Sequence, residues 1–120
     1  MSSVGLRPIA LQAEIEDRQV ALTLAVGIGL ITNELVTNAL KYAFPDGHPG
    51  TILVRFFQDG NEFKLAVRDD GVGDSIGPAR GSGLGQRLIR SLAQQLGGTF
   101  EAEVRPGGRT ATVRFPVTRI

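Results

Sequence analysis

Apolar and polar residues recur along this chain with periods that predict five strands and two helices. From Ile9 to Glu16 they alternate, as expected for a half-buried strand. From about Ala25 to Phe44 the apolar residues are spaced three and four apart, which predicts a long helix that ends at Pro45-Asp46-Gly47. The stretch before it, Val20 to Leu24, fits either a short strand or the lead-in to this helix.

The second half of the chain is predicted to form two hairpins separated by a helix. The alternating segments 51–58 and 62–68 flank Asp59-Gly60-Asn61, which is a strong turn signal, and a second alternating pair occupies 99–105 and 110–116. Helical spacing returns from Leu84 to Leu96 and ends at Gly97-Gly98. This order of elements predicts an α/β (α+β) domain, a two-layer sandwich of a mixed sheet with helices on one face.

The composition restricts the chemistry that such a domain can carry. The 120 residues, 42% of them hydrophobic, suffice for one domain over 1–120, with residues 1–5 as a linker. The absence of Cys and the single His exclude disulfides, thiol catalysis and a multi-His metal centre. A net charge of +1 argues against a nucleic-acid partner. The most apolar run, Val20 to Ile31, is short for a membrane span, so we expect a cytoplasmic domain without membrane contact.

Three polar side chains share one face of the long predicted helix. Glu34 and Asn38 are four residues apart and Lys41 is three beyond Asn38, so the three lie one above the other. The simple interpretation is a solvated face. A carboxylate, a carboxamide and an ammonium in one cleft can also bind a metal ion and a phosphate, because Mg²⁺ takes oxygen ligands and often keeps substrate phosphates among them.

Glycines gather between the second hairpin strand and the second helix, with six of them in the seventeen residues from Asp69 to Gly85. Asp69-Asp70-Gly71-Val72-Gly73 follows a predicted strand, and Gly81-Ser82-Gly83-Leu84-Gly85 opens a predicted helix. Each run alone fits a turn or a helix cap. The second also fits an anion site, since glycines permit close backbone approach and helix N-termini favour phosphate. Neither run has the spacing of a Walker or a dinucleotide-binding loop.

Together these segments resemble the GHKL superfamily of ATPases and kinases. The run from Glu34 to Tyr42 resembles its N box, the run from Asp69 to Gly73 its G1 box, and the run from Gly81 to Gly85 its G2 box. The resemblance covers about residues 6–117 and implies the Bergerat-type ATP-binding fold. It is closest to the catalytic domain of bacterial two-component sensor histidine kinases, in the short-lid branch, because only 74–80 separate the G1 and G2 boxes. The Trp-x-Glu signature of a related short-lid group is absent from this sequence, which has no Trp.

The resemblance assigns roles on the long helix. Asn38 would ligate Mg²⁺ through its side-chain oxygen, and Mg²⁺ would bridge the phosphates of ATP. Glu34 occupies the general-base position of the superfamily and would orient or deprotonate the acceptor. Lys41 would reach a phosphate, and Tyr42 would pack against the nucleotide or simply within the helix layer.

Further roles are implied for the loops and for the last strand. Asp69 would accept a hydrogen bond from the exocyclic amine of adenine, which selects adenine over guanine, and Thr110 would share that corner. Gly71 and Gly73 would let the chain pass close to the base. The backbone N–H groups expected to meet the phosphates are those of Gly83, Leu84 and Gly85.

Other polar residues in these segments have simpler interpretations. Asp70 and Asp74 are expected to be solvated loop charges. Arg80 and Arg87 flank the G2 box and would contact solvent, phosphate or a partner domain. His48 lies in a turn after the long helix and is not a candidate phosphoacceptor.

The resemblance therefore implies a kinase domain that works on a partner. It would transfer the γ-phosphoryl group of ATP to a His on a dimerisation domain absent from this chain, with a response regulator downstream, and we expect it to be a monomer in isolation. Two alternatives remain open from sequence: a stand-alone anti-sigma-type serine kinase, and an ATP-sensing interaction module without transfer activity.

Overall fold

The chain folds into one five-stranded sheet with two helices packed on one of its faces. A computed structural model describes residues 9–44, 49–71 and 84–117. The elements in chain order are β1 (Ile9–Ile15), α1 (Leu22–Tyr42), β2 (Gly50–Asp59), β3 (Glu62–Asp69), α2 (Leu84–Gln95), β4 (Thr99–Arg105) and β5 (Gly108–Pro116). The strands lie in the order β1-β2-β3-β5-β4. Only the pairing of β1 with β2 is parallel, and α1 is the crossover between them.

The register of the central strands sorts their side chains onto two faces. On the helix-covered face Leu65 is opposite Val113 and Phe63 is opposite Phe115, and these side chains are buried. On the other face Lys64 is opposite Arg114 and half-exposed. The buried layer of the sheet and the helices forms the core, which includes Ile31, Leu35, Phe44, Ile52, Phe56, Ile89 and Phe100.

Helix α1 is longer than the sequence indicates and begins at Leu22, which settles the ambiguous stretch in favour of helix. Its buried residues recur at three and four along one face, namely Leu24, Gly27, Ile31, Leu35 and Ala39. Among the residues that the structure describes, α1 is the one helix long and apolar enough to qualify as a membrane span. It instead uses this face to pack on β2 and β3, with α2 beside it.

Strand β1 forms as predicted, but it is not half-buried. Leu11 and Ile15 are 63% and 59% exposed, although they stand opposite the buried Ile52 and Phe56 of β2. The reason is lateral position: β1 is an edge strand, and the two helices cover mainly β2 to β5. Sequence alternation reports which residues share a face but cannot report whether a second layer reaches that face.

Candidate functional site

The polar stripe of α1 faces the beginning of α2. Glu34 and Asn38 are half-buried, whereas Lys41 is exposed and Tyr42 is 41% exposed. Gly85, in the first turn of α2, lies so near that a Cβ there would be 2.8 Å from Glu34 Oε2 and 3.5 Å from Asn38 Nδ2. The absence of a side chain at Gly85 thus permits the backbone of α2 to approach both residues. This placement argues against a purely solvated stripe.

Asp69 ends β3 on the helix-covered face and is 3% exposed. One of its carboxylate oxygens, Oδ1, accepts a hydrogen bond of 3.1 Å from the backbone N–H of Gly71. Gly71 in turn rests against the end of α1, where an added Cβ would overlap the carbonyl oxygen of Ala43 and lie 2.6 Å from Ala43 Cβ. The turn after β3 is therefore held against the C-terminal end of α1, and the Asp69 carboxylate is bonded to the backbone of this turn.

Asp70 has a structural partner, which corrects the expectation that it is a solvated loop charge. Its Oδ1 accepts a hydrogen bond of 2.7 Å from the N–H of Thr51, and its own N–H donates to the Thr51 carbonyl oxygen at 3.3 Å. Asp70 remains exposed, but these two bonds attach the turn after β3 to the start of β2. The link joins residues nineteen positions apart, so neither local motif nor composition reports it.

The register of β5 separates Thr110 from Asp69. Thr110 is opposite Arg68, on the face of the sheet away from the helices, whereas Arg109 is opposite Asp69. Arg109 is 8% exposed and faces the cleft between α1 and the sheet, as Ala111 of the same strand also does. The two side chains therefore leave the sheet on opposite faces. Asp69, Arg109 and Thr110 nevertheless all line a cavity of about 330 Å³ beside the turn between β4 and β5, so the shared corner stays a prediction.

A narrow cleft between α1 and the sheet brings these side chains together. It is lined by Leu35, Asn38, Ala39, Val67, Asp69, Arg109 and Ala111. Its free volume is about 10 Å³, close to the space swept by one water molecule. A nucleotide would not fit inside it.

The arrangement offers oxygen atoms that can accept hydrogen bonds or ligate a metal ion, and N–H groups that can donate hydrogen bonds, as a nucleotide needs. Asp69 supplies a buried acceptor for an amine, and Asn38 supplies an amide oxygen with the Glu34 carboxylate one turn away. Hard oxygen donors of this type suit Mg²⁺, which commonly takes one or two protein ligands and fills the remainder with waters and phosphates. Within 9–44, 49–71 and 84–117 no group of three or more His, Asp or Glu side chains forms a metal cluster on its own. The residues therefore fit a metal ion shared with a substrate.

Several residues predicted for the site lie outside the described part of the chain. These are Gly73 and Gly83. Asp74, Arg80 and His48, which have simpler interpretations, also lie outside the described residues. Leu84 begins α2, and nothing is described of its side chain. Arg87 is exposed on α2. Among the described candidates, the structure brings Glu34, Asn38, Asp69, Gly71 and Gly85 to the region between α1, the end of β3 and the start of α2.

Fold and family agree on the class of this domain. The family model for histidine kinase-, DNA gyrase B- and HSP90-like ATPases matches residues 23–119. The chain belongs to this family of ATPase domains, as the N, G1 and G2 resemblances indicated, and the family implies ATP binding.

Within that family, its characterised relatives are histidine kinases. It is 35% identical over 117 residues to blue-light-activated histidine kinase 2 of Erythrobacter litoralis, covering 94% of this chain and 32% of that protein. It is 38% identical over 105 residues to the histidine protein kinase DivJ of Caulobacter vibrioides, covering 72% of this chain and 17% of that protein. The chain therefore spans a third or less of these relatives and corresponds to their ATP-binding catalytic domain.

Solved structures confirm the predicted fold. The histidine kinase domain of the Erythrobacter litoralis blue-light-activated kinase EL346 superposes with a TM-score of 0.79 at 28% identity, covering 93% of this chain and 56% of that one. The Acinetobacter baumannii histidine kinase AdeS superposes with a TM-score of 0.72 at 16% identity, covering the same shares. The second likeness concerns the fold alone.

Proposed function

We propose that this chain is the Mg-ATP-binding catalytic domain of a sensor histidine kinase and that it phosphorylates a His on a separate dimerisation domain. The observation that carries the proposal is the convergence of Asn38 and Glu34 on α1 with Asp69 at the end of β3. The absence of a side chain at Gly85 and at Gly71 permits the close backbone contacts that this convergence requires. The relatives that carry the name histidine kinase support the choice of reaction.

Adenine would be recognised at the buried end of β3. The carboxylate of Asp69 is an acceptor, so it matches the exocyclic amine of adenine, whereas guanine presents a carbonyl oxygen at the same place. The hydrogen bond from Gly71 to Asp69 Oδ1 fixes the orientation of the carboxylate before a base arrives. Burial of Asp69 strengthens this discrimination, because an unmatched polar contact is costly away from water.

The phosphates would lie between α1 and the first turn of α2. Asn38 would hold Mg²⁺ through its side-chain oxygen, and the bound ion offsets charge on the phosphates during transfer. The free N–H groups at the start of α2, including that of Gly85, would bind phosphate oxygens. Lys41 is exposed at the end of α1 and would reach a phosphate as a mobile point charge.

In the transfer step a nitrogen of the acceptor imidazole bonds to the γ-phosphorus, and the bond from that phosphorus to the bridging oxygen breaks, leaving ADP. Glu34 would orient the imidazole and take up the proton from its other nitrogen. The acceptor His belongs to the dimerisation domain of the parent kinase, and a response regulator would receive the phosphoryl group afterwards. ATP as substrate supports a cytoplasmic location for this domain, and we expect the isolated chain to be monomeric.

Phosphoryl transfer with matched helix variants tests this proposal. Wild type, Asn38→Ala and Asn33→Ala would each be incubated with radiolabelled Mg-ATP and an added His-bearing dimerisation domain. Asn33 is exposed on the same helix, so Asn33→Ala controls for a general effect of losing a carboxamide. We expect acid-labile phosphate on the acceptor with wild type and Asn33→Ala and none with Asn38→Ala. Undiminished transfer by Asn38→Ala, or acid-stable phosphate on a Ser, would overturn the proposal.

A further inference from the structure

We infer that Arg109 is a base-contacting residue of the nucleotide site and donates a hydrogen bond to a ring nitrogen of adenine beside the amine that Asp69 accepts. This inference deepens the proposed function and rests on it. It begins from the sheet register, which places Arg109 directly opposite Asp69 on the antiparallel pair β3–β5. Side chains opposite one another on such a pair point to the same face.

Arg109 occupies a place in β5 where the pattern of the strand calls for an apolar residue. Its alternate neighbours on the same face are Ala111, Val113 and Phe115, which are 3%, 0% and 0% exposed. Asp69 holds the corresponding place in β3, after the buried Leu65 and Val67.

Asp69 and Arg109 are the buried charged residues among those that the structure describes. Charged side chains are rarely buried without a partner or a function. The pair lies in the cleft between α1 and the sheet that Asn38 also lines. Gly108 brings β5 against β3 at this point, since a Cβ there would overlap the carbonyl oxygen of Asp69. The site is therefore built by close contact of the two strands.

The chemistry of the two side chains is complementary to one edge of adenine. The amine of adenine is a donor, and the ring nitrogens on either side of it are acceptors. A carboxylate can accept a hydrogen bond from the amine but carries no donor for the ring nitrogens. A guanidinium carries five N–H donors in a planar fork and stays charged at every accessible pH. Arg109 can therefore bond to Asp69 and to the base at the same time.

Guanine reverses this pattern, because a carbonyl and a ring N–H replace the amine and the first ring nitrogen. The acceptor of Asp69 and the donor of Arg109 together thus recognise two groups of adenine, the amine and a ring nitrogen, rather than the amine alone. The inference does not involve Thr110, whose register partner is Arg68 on the other face of the sheet.

Nucleotides that lack one ring nitrogen provide the test. Calorimetry would compare Mg-ADP with its 1-deaza and 7-deaza analogues, in which a C–H replaces a single ring nitrogen, on wild type and on Arg109→Met. A hydrogen bond to a charged donor implies a loss of about tenfold or more in affinity for one analogue on wild type. Arg109→Met should bind ADP and that analogue equally, because the donor is gone.

Each outcome decides between the possible roles of Arg109. If wild type binds both analogues as tightly as ADP, the inference is refuted, and this comparison needs no variant to fold. If Arg109→Met weakens all three ligands alike and the preference for ADP persists, Arg109 is a structural residue only. Failure of wild type to bind Mg-ADP at all would refute the proposed nucleotide site itself, which is a separate result.

Discussion

Replacing Gly71 by Ala tests whether close packing of the turn after β3 against α1 is what positions Asp69. Gly71 is not among the glycines with positive φ, which in the described chain are Gly60, Gly97, Gly107 and Gly108. An Ala can therefore adopt its backbone conformation, and the cost of the substitution comes from contact alone. The new methyl group would overlap a backbone carbonyl oxygen, that of Ala43, which no side-chain rotation can relieve.

The magnitude follows from two opposing contributions. Overpacking of this kind costs typically ~1–3 kcal/mol. The loss of glycine freedom in the unfolded chain returns ~0.4–1 kcal/mol. We therefore expect Gly71→Ala to lower the free energy of unfolding by about 1–2 kcal/mol, which corresponds to a fall in Tm of roughly 4–8 °C for a domain of this size. ADP binding should weaken as well, because the N–H of Gly71 donates to Asp69.

Urea denaturation and ADP titration would measure both effects, with Gly29→Ala as the matched control. Gly29 is exposed in the middle of α1, and a Cβ there meets nothing within 4 Å. That variant should gain up to ~1 kcal/mol from helix propensity and bind ADP normally. The reasoning about close packing is refuted if Gly71→Ala is as stable as wild type and binds ADP as tightly.

Two further predictions concern hydrogen bonds that the structure shows and the sequence did not predict. Asp70→Ala should lower the free energy of unfolding by about 1 kcal/mol, because it removes the acceptor for the Thr51 N–H. Asp70→Asn retains an acceptor oxygen and should keep most of that stability. Equal denaturation midpoints for the two variants would contradict this. The backbone N–H of Gln58 and then the Arg18 guanidinium lower the pKa of Glu16 from its ordinary value of 4.5. The stabilisation from Glu16 is therefore present above pH 4.5 and is lost as the pH falls through the lower folded-state pKa. Glu16→Gln should therefore lose less stability than wild type on acidification to about pH 3. Identical profiles of stability against pH for the two proteins would contradict the assignment.

The sequence predicted most of the elements because their periods and turn residues are local. The hairpin at Gly60, the stop at Gly97 and the long helix follow from neighbouring residues. The resemblance to the N box identified Glu34 and Asn38, and the resemblance to the G1 box identified Asp69. What the sequence did not predict depends on distant contacts. The exposure of Leu11 depends on how far the helix layer extends, and the bond between Asp70 and Thr51 depends on strand pairing.

The burial of Arg109 has a local signal in the sequence of β5. Alternation along β5 places Arg109 on the face of Ala111, Val113 and Phe115, and so assigns Thr110 to the other face. The motif resemblance implied a role for Thr110 at the same corner. The period of the strand, counted back from the apolar residues, identifies Arg109 instead.

Thermal unfolding with nucleotides tests the central claim, that this domain binds adenine nucleotides through Asp69, most directly. Mg-ADP at 100 times its dissociation constant should add ~2.7 kcal/mol of stability, a rise in Tm of roughly ten degrees. Mg-GDP at the same concentration should add much less, and Asp69→Asn should lose most of the ADP effect. Equal shifts with ADP and GDP, or no shift with millimolar ADP, would contradict the account.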